Sequence, residues 1–372
     1  MKIFSRVLVL VTCMVFFACQ KSEKNISQQP KNVILLISDG TGLSQISSAY
    51  FFKDSEPNYS RFKSIGFVKT SSSKEDVTDS AAGATAYASG IKTYNGAIGM
   101  TPDSVSVATI IELVQDKKIK TGLIATSSIT HATPASFYAH QVSRRYYEAI
   151  AKDLSEAQVD FFAGGGLKFF SERKDSIDLV DKMKGRGFYM NTESLVGLDA
   201  IKENEKVGFL LADDAMPKMQ DGRGDFLPKA AQLGIEFLEN DNGFFMMVEG
   251  SQIDWGGHQN DADYVVAELI DFDTTIGKVL DFAEKDGNTL VVVTSDHETG
   301  GFTLAGSRVT REDGRVYNDY SQFDMLFSTS NHSATLIPVF AYGPGAEKFQ
   351  GIYENNEIFH KIMQVTGWSK EQ

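Results

Sequence analysis

Cysteine is almost absent from this chain of 372 residues. Its two cysteines, Cys13 and Cys19, both lie within the first twenty residues. Because none follows them, the rest of the chain has no disulfide bond, and its cysteine usage says nothing about the redox compartment. The hydrophobic content of 42% is ordinary for a globular protein, so a chain of this length can build a large core without covalent cross-links.

An excess of positive charge is also lacking. The chain has 36 lysines and arginines against 49 aspartates and glutamates, which gives a formal net charge of −13. A nucleic-acid partner requires clustered lysine and arginine against its phosphate backbone, so we expect no nucleic-acid binding. An anionic substrate would need local positive charge from metal ions and a few arginines.

The apolar run at the N-terminus, residues 7–18, is too short to span a bilayer. It follows Lys2 and Arg6 and is typical of the hydrophobic region of a secretory signal. Residues 15–19 (VFFAC) resemble a bacterial lipobox, although Phe16 replaces the usual leucine, so cleavage without lipidation is the alternative. We predict a signal peptide over 1–18, a lipid anchor at Cys19 and a flexible tether over 19–31. The protein would be exported to the periplasm or outer membrane of a Gram-negative bacterium.

Three strongly apolar runs each end in an acidic residue. Residues 33–37 precede Asp39, residues 244–248 precede Glu249, and residues 290–294 precede Asp296. Apolar runs of this kind are typical of buried strands in a parallel sheet, and ligands of such sheets bind beyond the carboxyl ends of the strands. Clustered carboxylates there would repel one another unless a cation lay between them, so the pattern predicts a metal site.

Other segments alternate between strand and helix patterns. Strands are predicted over 121–125, 159–163, 207–211 and 335–341, and helices over 104–117, 145–157, 228–239 and 261–283. This alternation predicts an α/β fold in which a mostly parallel central sheet carries helices on both faces, within a single domain over 32–372.

Two Gly-containing segments interrupt this pattern. Residues 302–331 are polar and are predicted to make a small surface excursion near the site. The glycines at 164–166 are interpreted as a turn after a strand rather than a phosphate cradle, because no phosphate-loop or dinucleotide pattern follows.

Residues 78–90 (TDSAAGATAYASG) predict a helix of small residues that begins near Ser80 and ends at Gly90. Ser80 has two interpretations: a helix N-cap, or a nucleophile beside the positive end of a helix, where an anion binds well. The chain has no G-x-S-x-G elbow at this serine to supply a histidine-dependent mechanism. A coordinated metal could activate the hydroxyl directly.

Several motifs together resemble the alkaline phosphatase family. They are ILLISDGTG at 34–42, TDSAA at 78–82, VEGSQIDWGGH at 248–258, TSDH at 294–297, HSAT at 332–335 and AYGP at 341–344. They occur in the order of the family and span residues 31 to about 349.

The resemblance implies that Ser80 is the phosphorylated nucleophile and that Arg144, in HQVSR at 140–144, binds phosphate. It also implies two zinc ions and one magnesium ion. The first zinc activates the attacking water, the second binds the Ser80 oxygen, and Asp39 bridges to the magnesium. The implied ligands are Asp254, His258 and His332 for the first zinc, Asp39, Asp296 and His297 for the second, and Asp39, Thr133 and Glu249 for magnesium.

Two positions depart from the best-known bacterial pattern of the family. His131 replaces an aspartate near magnesium, and we expect it to contact metal-bound water rather than the metal. Trp255 replaces a lysine near phosphate, and we expect this loss of a cation to weaken product binding and to speed release. For His140 a structural role is expected.

The resemblance implies an exported phosphomonoesterase of broad substrate range and alkaline pH optimum, acting on small phosphate monoesters and inhibited by inorganic phosphate, with a possible homodimer. Two alternatives are open. A phosphodiesterase or sulfatase would belong to the same metal superfamily, but a sulfatase requires a C/S-x-P-x-R motif that is absent around Ser80. A non-catalytic surface lipoprotein that binds phosphate would have lost a ligand or the nucleophile, and none is lost.

Overall fold

The structure, a computed structural model, describes residues 29–368. A ten-stranded sheet in the order β14-β2-β13-β8-β1-β7-β3-β4-β6-β5 forms its centre. The sheet strands are β1 (Asn32–Ser38), β2 (Ser64–Lys69), β3 (Lys120–Ser128), β4 (Phe161–Gly165), β5 (Phe188–Asn191), β6 (Lys206–Leu210), β7 (Phe244–Gly250), β8 (Thr289–Thr294), β13 (Ile337–Tyr342) and β14 (Gly351–Glu354). Four strands outside it are β9 (Glu298–Thr299), β10 (Thr303–Thr310), β11 (Val316–Leu326) and β12 (His332–Ser333).

Nine strands of the sheet run in one direction, and β13 alone in this sheet runs against its neighbours β8 and β2. The prediction of a mostly parallel sheet is therefore confirmed. The three apolar runs are the adjacent central strands β8, β1 and β7, and every residue in these strands is buried. Burial on both faces explains why they read as continuous apolar runs rather than as alternating patterns.

Helices cover both faces of the sheet. They are α1 (Leu43–Phe52), α2 (Ser80–Ser89), α3 (Ile110–Val114), α4 (Ala132–Ala135), α5 (Tyr147–Glu156), α6 (Lys168–Ser171), α7 (Leu179–Gly185), α8 (Phe226–Leu238), α9 (Gln252–Gln259), α10 (Ala262–Asp286) and α11 (Glu357–Thr366). Side chains of α1, α8, α9 and α10 pack in one apolar core, and those of the other helices pack in a second. Along β1, Val33 and Leu35 enter one core while Ile34 and Leu36 enter the other, as the alternation of a strand requires.

One predicted helix, 104–117, is too long. The α-helix begins at Ile110, where Thr109 and Glu112 form a capping box, and it continues as a 3-10 turn to Lys117. Ser104 has a φ of 61°, a left-handed conformation that a helix interior does not contain. The short strands β5 and β14 at the two edges of the sheet, and β2 next to β14, were not predicted, because they are only partly buried and lack a long apolar run.

The polar segment over 302–331 is an antiparallel hairpin of β10 and β11, with a register shift between Gly306 and Ser307. Most of its side chains are exposed or half-buried, so the predicted surface excursion is confirmed. Its two strands were not predicted, because the segment is polar and lacks an apolar run. The glycines at 164–166 are the end of β4 and the turn that follows, with Gly166 at a φ of 104°.

The predicted signal peptide, Cys19 and most of the predicted tether lie outside the described residues. Within residues 29–368, no helix is both long enough and apolar enough to cross a membrane.

Candidate active site

Acidic residues from the three central strands meet at one edge of the sheet. Asp39 directly follows β1, Glu249 lies near the end of the neighbouring β7, and Asp296 follows β8 on the other side. All three side chains are buried. Gly40 makes this convergence possible, because its φ is +73° and a Cβ there would lie 2.5 Å from the Cα of Asp254.

This acidic cluster is unfavourable without a cation. Burial, followed by the charges of Asp296, Asp254 and Glu249, raises the pKa of Asp39 well above its usual value. Burial also raises the pKa of Glu249 to about 7. Within the described residues, most buried side-chain polar atoms that lack a hydrogen-bond partner belong to this region: both carboxylate oxygens of Asp39, Nδ1 of His131, Oγ1 of Thr133, Oε1 of Glu249 and Oδ2 of Asp296. Such converging, unpaired oxygens fit a bound metal ion.

Asp39, Asp296 and His297 form the first of two clusters with metal-ligand spacing. One ligand atom from each lies within 4.8 Å of the others. Nε2 of His297 is 3.2 Å from Oδ2 of Asp296 and 3.6 Å from Oδ1 of Asp39, and all three side chains are fully buried. Two carboxylates and one imidazole are ligands typical of zinc.

Asp254, His258 and His332 form the second cluster, and the ligand atoms of Asp254 and His332 also lie within 4.8 Å of one from His297. Asp254 and His258 are one turn apart on α9, and Nε2 of His258 is 3.4 Å from Oδ2 of Asp254. Nε2 of His332, on β12, is 3.1 Å from Nε2 of His258 and 3.7 Å from Oδ1 of Asp254. The His332 ring also stacks on His297 at a centroid distance of 3.5 Å, so the two clusters are adjacent.

Nδ1 of each histidine in these clusters lies within hydrogen-bond distance of an oxygen atom. Nδ1 of His258 lies 2.7 Å from the Ser330 carbonyl, and Nδ1 of His332 lies 2.9 Å from the Thr78 carbonyl. Nδ1 of His297 lies 3.2 Å from Oγ1 of Thr299. Such partners fix the ring orientation, so that Nε2 of each ring is directed into the cluster.

A further set of buried oxygen atoms lies in the neighbourhood of Asp39. Thr133, on α4, and Glu249 are buried, and each has an oxygen without a protein partner. An all-oxygen set is the kind that magnesium prefers. His131 precedes α4, and this half-buried residue has a buried Nδ1. Burial and the neighbouring Arg144 lower the pKa of His131 to about 3, so the ring is neutral.

Ser80 is the first residue of α2, not its N-cap. Asp79 caps the helix, because its Oδ1 accepts from the Ala82 backbone N–H at 3.0 Å, so the N-cap interpretation of Ser80 is wrong. The hydroxyl of Ser80 is buried and lies 3.3 Å from Nε2 of His297. Gly90 ends α2 with a φ of 74°, as predicted.

Arg144 lies beside this helix start. Its Nη1 donates to Oδ2 of Asp79 at 3.0 Å, and its side chain is largely buried. The adjacent Arg145 is exposed, so Arg144 is the arginine that contacts Asp79 at the start of α2. Trp255, on α9, is half-buried, and its ring meets His131 edge-on at 5.8 Å between ring centroids.

His140 bonds the Gly99 carbonyl and Glu112, away from the acidic cluster, which fits the expected structural role.

Two residues with clear contacts to the site had no role in the sequence interpretation. Asp79 orients Arg144, and its position before a helix of small residues was a signal for an N-cap. Thr299 donates to Oδ1 of Asp254 at 2.5 Å and contacts His297, but no local pattern marks it. Its role depends on the pairing of β9 with β12, which forms only in the folded chain.

Comparisons with known proteins agree with this arrangement. A family model described as Alkaline phosphatase matches residues 30–319 and 310–367. Alkaline phosphatase 3 of Bacillus subtilis is 33% identical, over 94% of this chain and 91% of its own length. Alkaline phosphatase of Escherichia coli K12 is 29% identical, over 92% of this chain and 88% of its own.

Solved structures extend the similarity to three dimensions. The alkaline phosphatase from the Antarctic bacterium TAB5 is 60% identical, with a TM-score of 0.90 over 92% of this chain and 99% of its own. A variant of that enzyme, with one histidine replaced by aspartate and magnesium bound in its M3 site, is 62% identical, with a TM-score of 0.91 over the same shares of the two chains.

Proposed function

This chain belongs to the alkaline phosphatase family and hydrolyses phosphate monoesters, and we propose that it does so through a covalent phosphoserine intermediate on Ser80. The main support is that the Ser80 hydroxyl lies 3.3 Å from Nε2 of His297, at the point where the two ligand clusters meet. Oγ of Ser80 would bond to phosphorus as the bond from phosphorus to the substrate alcohol breaks. Water would then cleave the serine–phosphate bond, release inorganic phosphate and restore the hydroxyl.

Three metal ions are the proposed occupants of this edge of the sheet. Two zinc ions would be held by Asp254, His258 and His332 and by Asp39, Asp296 and His297, and one magnesium ion by Asp39, Thr133 and Glu249. When bound, they supply Lewis-acid stabilisation of the negative charge that develops on oxygen during phosphoryl transfer. The unpaired oxygens of Asp39, Thr133 and Glu249 support this assignment.

Arg144 and Trp255 would contact the substrate. The Arg144 guanidinium is planar and can pair with two phosphate oxygens, and its contact with Asp79 turns it toward the start of α2. Trp255 would line the phosphate pocket beside His131 without adding a charge. His131 would contact water around the magnesium ion, because its buried Nδ1 has no protein partner.

Trapping of the intermediate tests this mechanism. The protein is incubated with labelled inorganic phosphate at acidic pH, quenched and digested, and we expect the label on the peptide that contains Ser80. Ser80→Ala should carry no label and lose most activity while it keeps its metals. Label on another residue, or none at any pH in a fully metallated and active sample, would contradict the covalent mechanism.

Export and lipidation are part of the proposal. Support comes from the basic residues Lys2 and Arg6, the apolar run over 7–18 and the lipobox-like VFFAC. We propose that residues 1–18 are removed, that Cys19 is lipidated, and that residues 19–31 link the anchor to one catalytic domain over 32–372. Growth with labelled palmitate should label the wild type but not Cys19→Ala, and label on both would contradict an anchor at Cys19.

A homodimer is the proposed assembly, and the surface offers an apolar region for it. Phe51 and Phe52 on α1 are 61% and 41% exposed, and both rings contact Phe323 of the hairpin edge-on. Tyr320, also on the hairpin, is 83% exposed. Exposed aromatic side chains of this kind are typical of interaction sites. Light scattering should give twice the chain mass for the wild type and the chain mass for Phe51→Glu.

A further inference from the structure

Two segments near the site pair along their backbones. Ile98 and Gln141 each donate a backbone N–H to the carbonyl of the other, both at 2.9 Å. The backbone N–H of Arg144 donates to the Gly96 carbonyl at 2.7 Å. The chain around Arg144 is therefore held in register with residues 96–99, and the two segments form one unit.

One end of this unit meets the helix that carries Ser80. The backbone N–H of Gly96 donates to Oδ1 of Asp79 at 3.1 Å, and Nη1 of Arg144 donates to Oδ2 of the same carboxylate at 3.0 Å. A backbone group from one segment and a side chain from the other thus share Asp79. A shift of either segment relative to Asp79 would move the Arg144 guanidinium.

His140 secures the other end. Its Nδ1 lies 2.8 Å from the Gly99 carbonyl, and its Nε2 lies 3.0 Å from Oε1 of Glu112. Both partners are acceptors, so the ring makes both bonds fully only when both nitrogens carry a proton. Glu112 is itself fixed at the start of α3, because its Oε2 accepts from the Thr109 backbone N–H at 2.7 Å.

A second helix holds the backbone at the same point. Oδ2 of Asp153, on α5, accepts from the His140 backbone N–H at 3.3 Å and from the Gln141 side chain at 2.8 Å. His140 thus joins the paired segments to α3 through its ring and to α5 through its backbone. Its ring has no contact with Ser80, the acidic cluster or the histidines of the metal clusters.

We propose that His140 is a positioning residue that holds Arg144 where its guanidinium meets the substrate phosphate. This role rests on the proposed function, in which Arg144 binds phosphate. The ring acts over four residues of chain, by fixing the paired segments against α3 while Asp79 fixes them against α2. A histidine that only stabilised the fold would affect the melting temperature and leave phosphate binding unchanged.

The test replaces the ring with one of similar shape that donates no hydrogen bond. His140→Phe should raise the KM for an aryl phosphate and the Ki for inorganic phosphate about tenfold, with zinc and magnesium content unchanged. His140→Gln keeps an amide donor and should fall between His140→Phe and the wild type. If His140→Phe does not fold, KM and Ki are measured on His140→Gln instead.

His360→Phe is a matched control. His360 bonds the Gly90 carbonyl at 3.2 Å through Nε2, at the opposite end of α2 from Ser80. The His360→Phe variant should have a lower melting temperature than the wild type, with unchanged KM and Ki. If the His140 variants likewise lower only the melting temperature, the positioning role is refuted.

A double-mutant cycle shows whether His140 acts through Arg144. Arg144→Ala should itself raise KM and Ki strongly, and adding His140→Phe to it should produce no further increase. Additive increases would overturn the positioning role. An Arg144→Ala variant with unchanged KM and Ki would instead refute the assignment of Arg144 under the proposed function, so the two failures are distinguishable.

Discussion

Oδ2 of Asp79 accepts a hydrogen bond of 3.0 Å from Nη1 of Arg144, and Asp79 is the residue immediately before Ser80. The other carboxylate oxygen of Asp79 caps α2. One side chain therefore starts the helix that presents the hydroxyl and orients the guanidinium beside it. The proposed nucleophile and the proposed phosphate-binding group are thus placed by the same residue.

Asp79→Asn separates these two functions. Asparagine is also a good N-cap, so we expect little change in melting temperature. The bond from a guanidinium to a carboxylate is charge-assisted and contributes about 1.5–3 kcal/mol, so its loss should raise the Ki for phosphate by roughly tenfold or more. Asp178→Asn is a matched control, because Asp178 caps α7 without an arginine partner and should leave Ki unchanged. An unchanged Ki in Asp79→Asn would mean that Arg144 needs no such support.

Removal of metals should abolish activity and destabilise the fold around the acidic cluster. After dialysis against a strong chelator, the carboxylates of Asp39, Asp296 and Glu249 lose the cations that offset their repulsion, so both activity and melting temperature should fall. Zinc should restore both, and magnesium should increase activity further. Calorimetry and a hydrolysis assay on the same samples check this, and full activity of the metal-free protein would refute it.

His131→Asp should tighten magnesium binding. The neutral imidazole offers magnesium no charge, whereas an aspartate adds an anionic oxygen beside Thr133 and Glu249, the ligand type that magnesium prefers. The magnesium concentration for half-maximal activation should fall by about tenfold, which a titration of magnesium-depleted protein measures. His131→Asn, which adds a neutral oxygen, is the control. An equal fall in both variants would show that charge is not the cause.

The central strands were predicted from the sequence more accurately than the edge strands and the hairpin, because they are more deeply buried. The central strands β1, β7 and β8 are buried on both faces, so their apolar runs are unambiguous, and their carboxyl ends carry the acids of the site. The edge strands and the hairpin over 303–326 are half-buried or exposed at most positions, and the pairing of β14 with β2 depends on residues far away in the sequence.

The same division applies to the site. The four-residue spacing of Asp254 and His258 matches one helical turn, but their role as ligands was implied by the resemblance to the family. His332, Thr299 and Asp79 reach the site through strand pairing and loop contacts, which leave no local spacing. Only the resemblance to the family assigned His332 a role, and Asp79 and Thr299 became evident from the folded geometry.

The His140–Glu112 pair should stabilise the fold in a pH-dependent manner. The hydrogen bond that the His140 ring donates to Glu112 raises the pKa of His140, although burial opposes it, and the charge of Asp153 on α5 adds to the rise. A histidine whose pKa is raised by folding contributes stability below its unfolded pKa of about 6.5, and this contribution is lost as the pH rises through the folded pKa. Glu112→Gln keeps the cap of α3 but removes the charge. Its melting temperature should fall further below the wild type at pH 6.5 than at pH 9.5, and an equal difference at both would contradict an ionised pair.

Replacement of Trp255 by lysine tests whether this residue lines the phosphate pocket or packs in the core. If it lines the phosphate pocket, Trp255→Lys places a cation near the bound dianion. A charge-assisted contact at a partly desolvated position contributes about 1.5–3 kcal/mol, so the Ki for phosphate should fall roughly tenfold or more. Because the product complex gains as well as the transition state, turnover should also fall where release limits the rate.

The half-buried position of Trp255, edge-on to His131, favours the pocket role. A core tryptophan would respond differently, because a buried lysine would lose packing and leave its charge unpaired, at a cost of several kcal/mol. The Ki for phosphate and the melting temperature of Trp255→Lys are therefore measured together, with Trp255→Met as a neutral control. A tighter Ki for the lysine variant alone, with a small change in melting temperature, is the expected result. A large drop in melting temperature with unchanged Ki would place Trp255 in the core and remove it from the phosphate pocket.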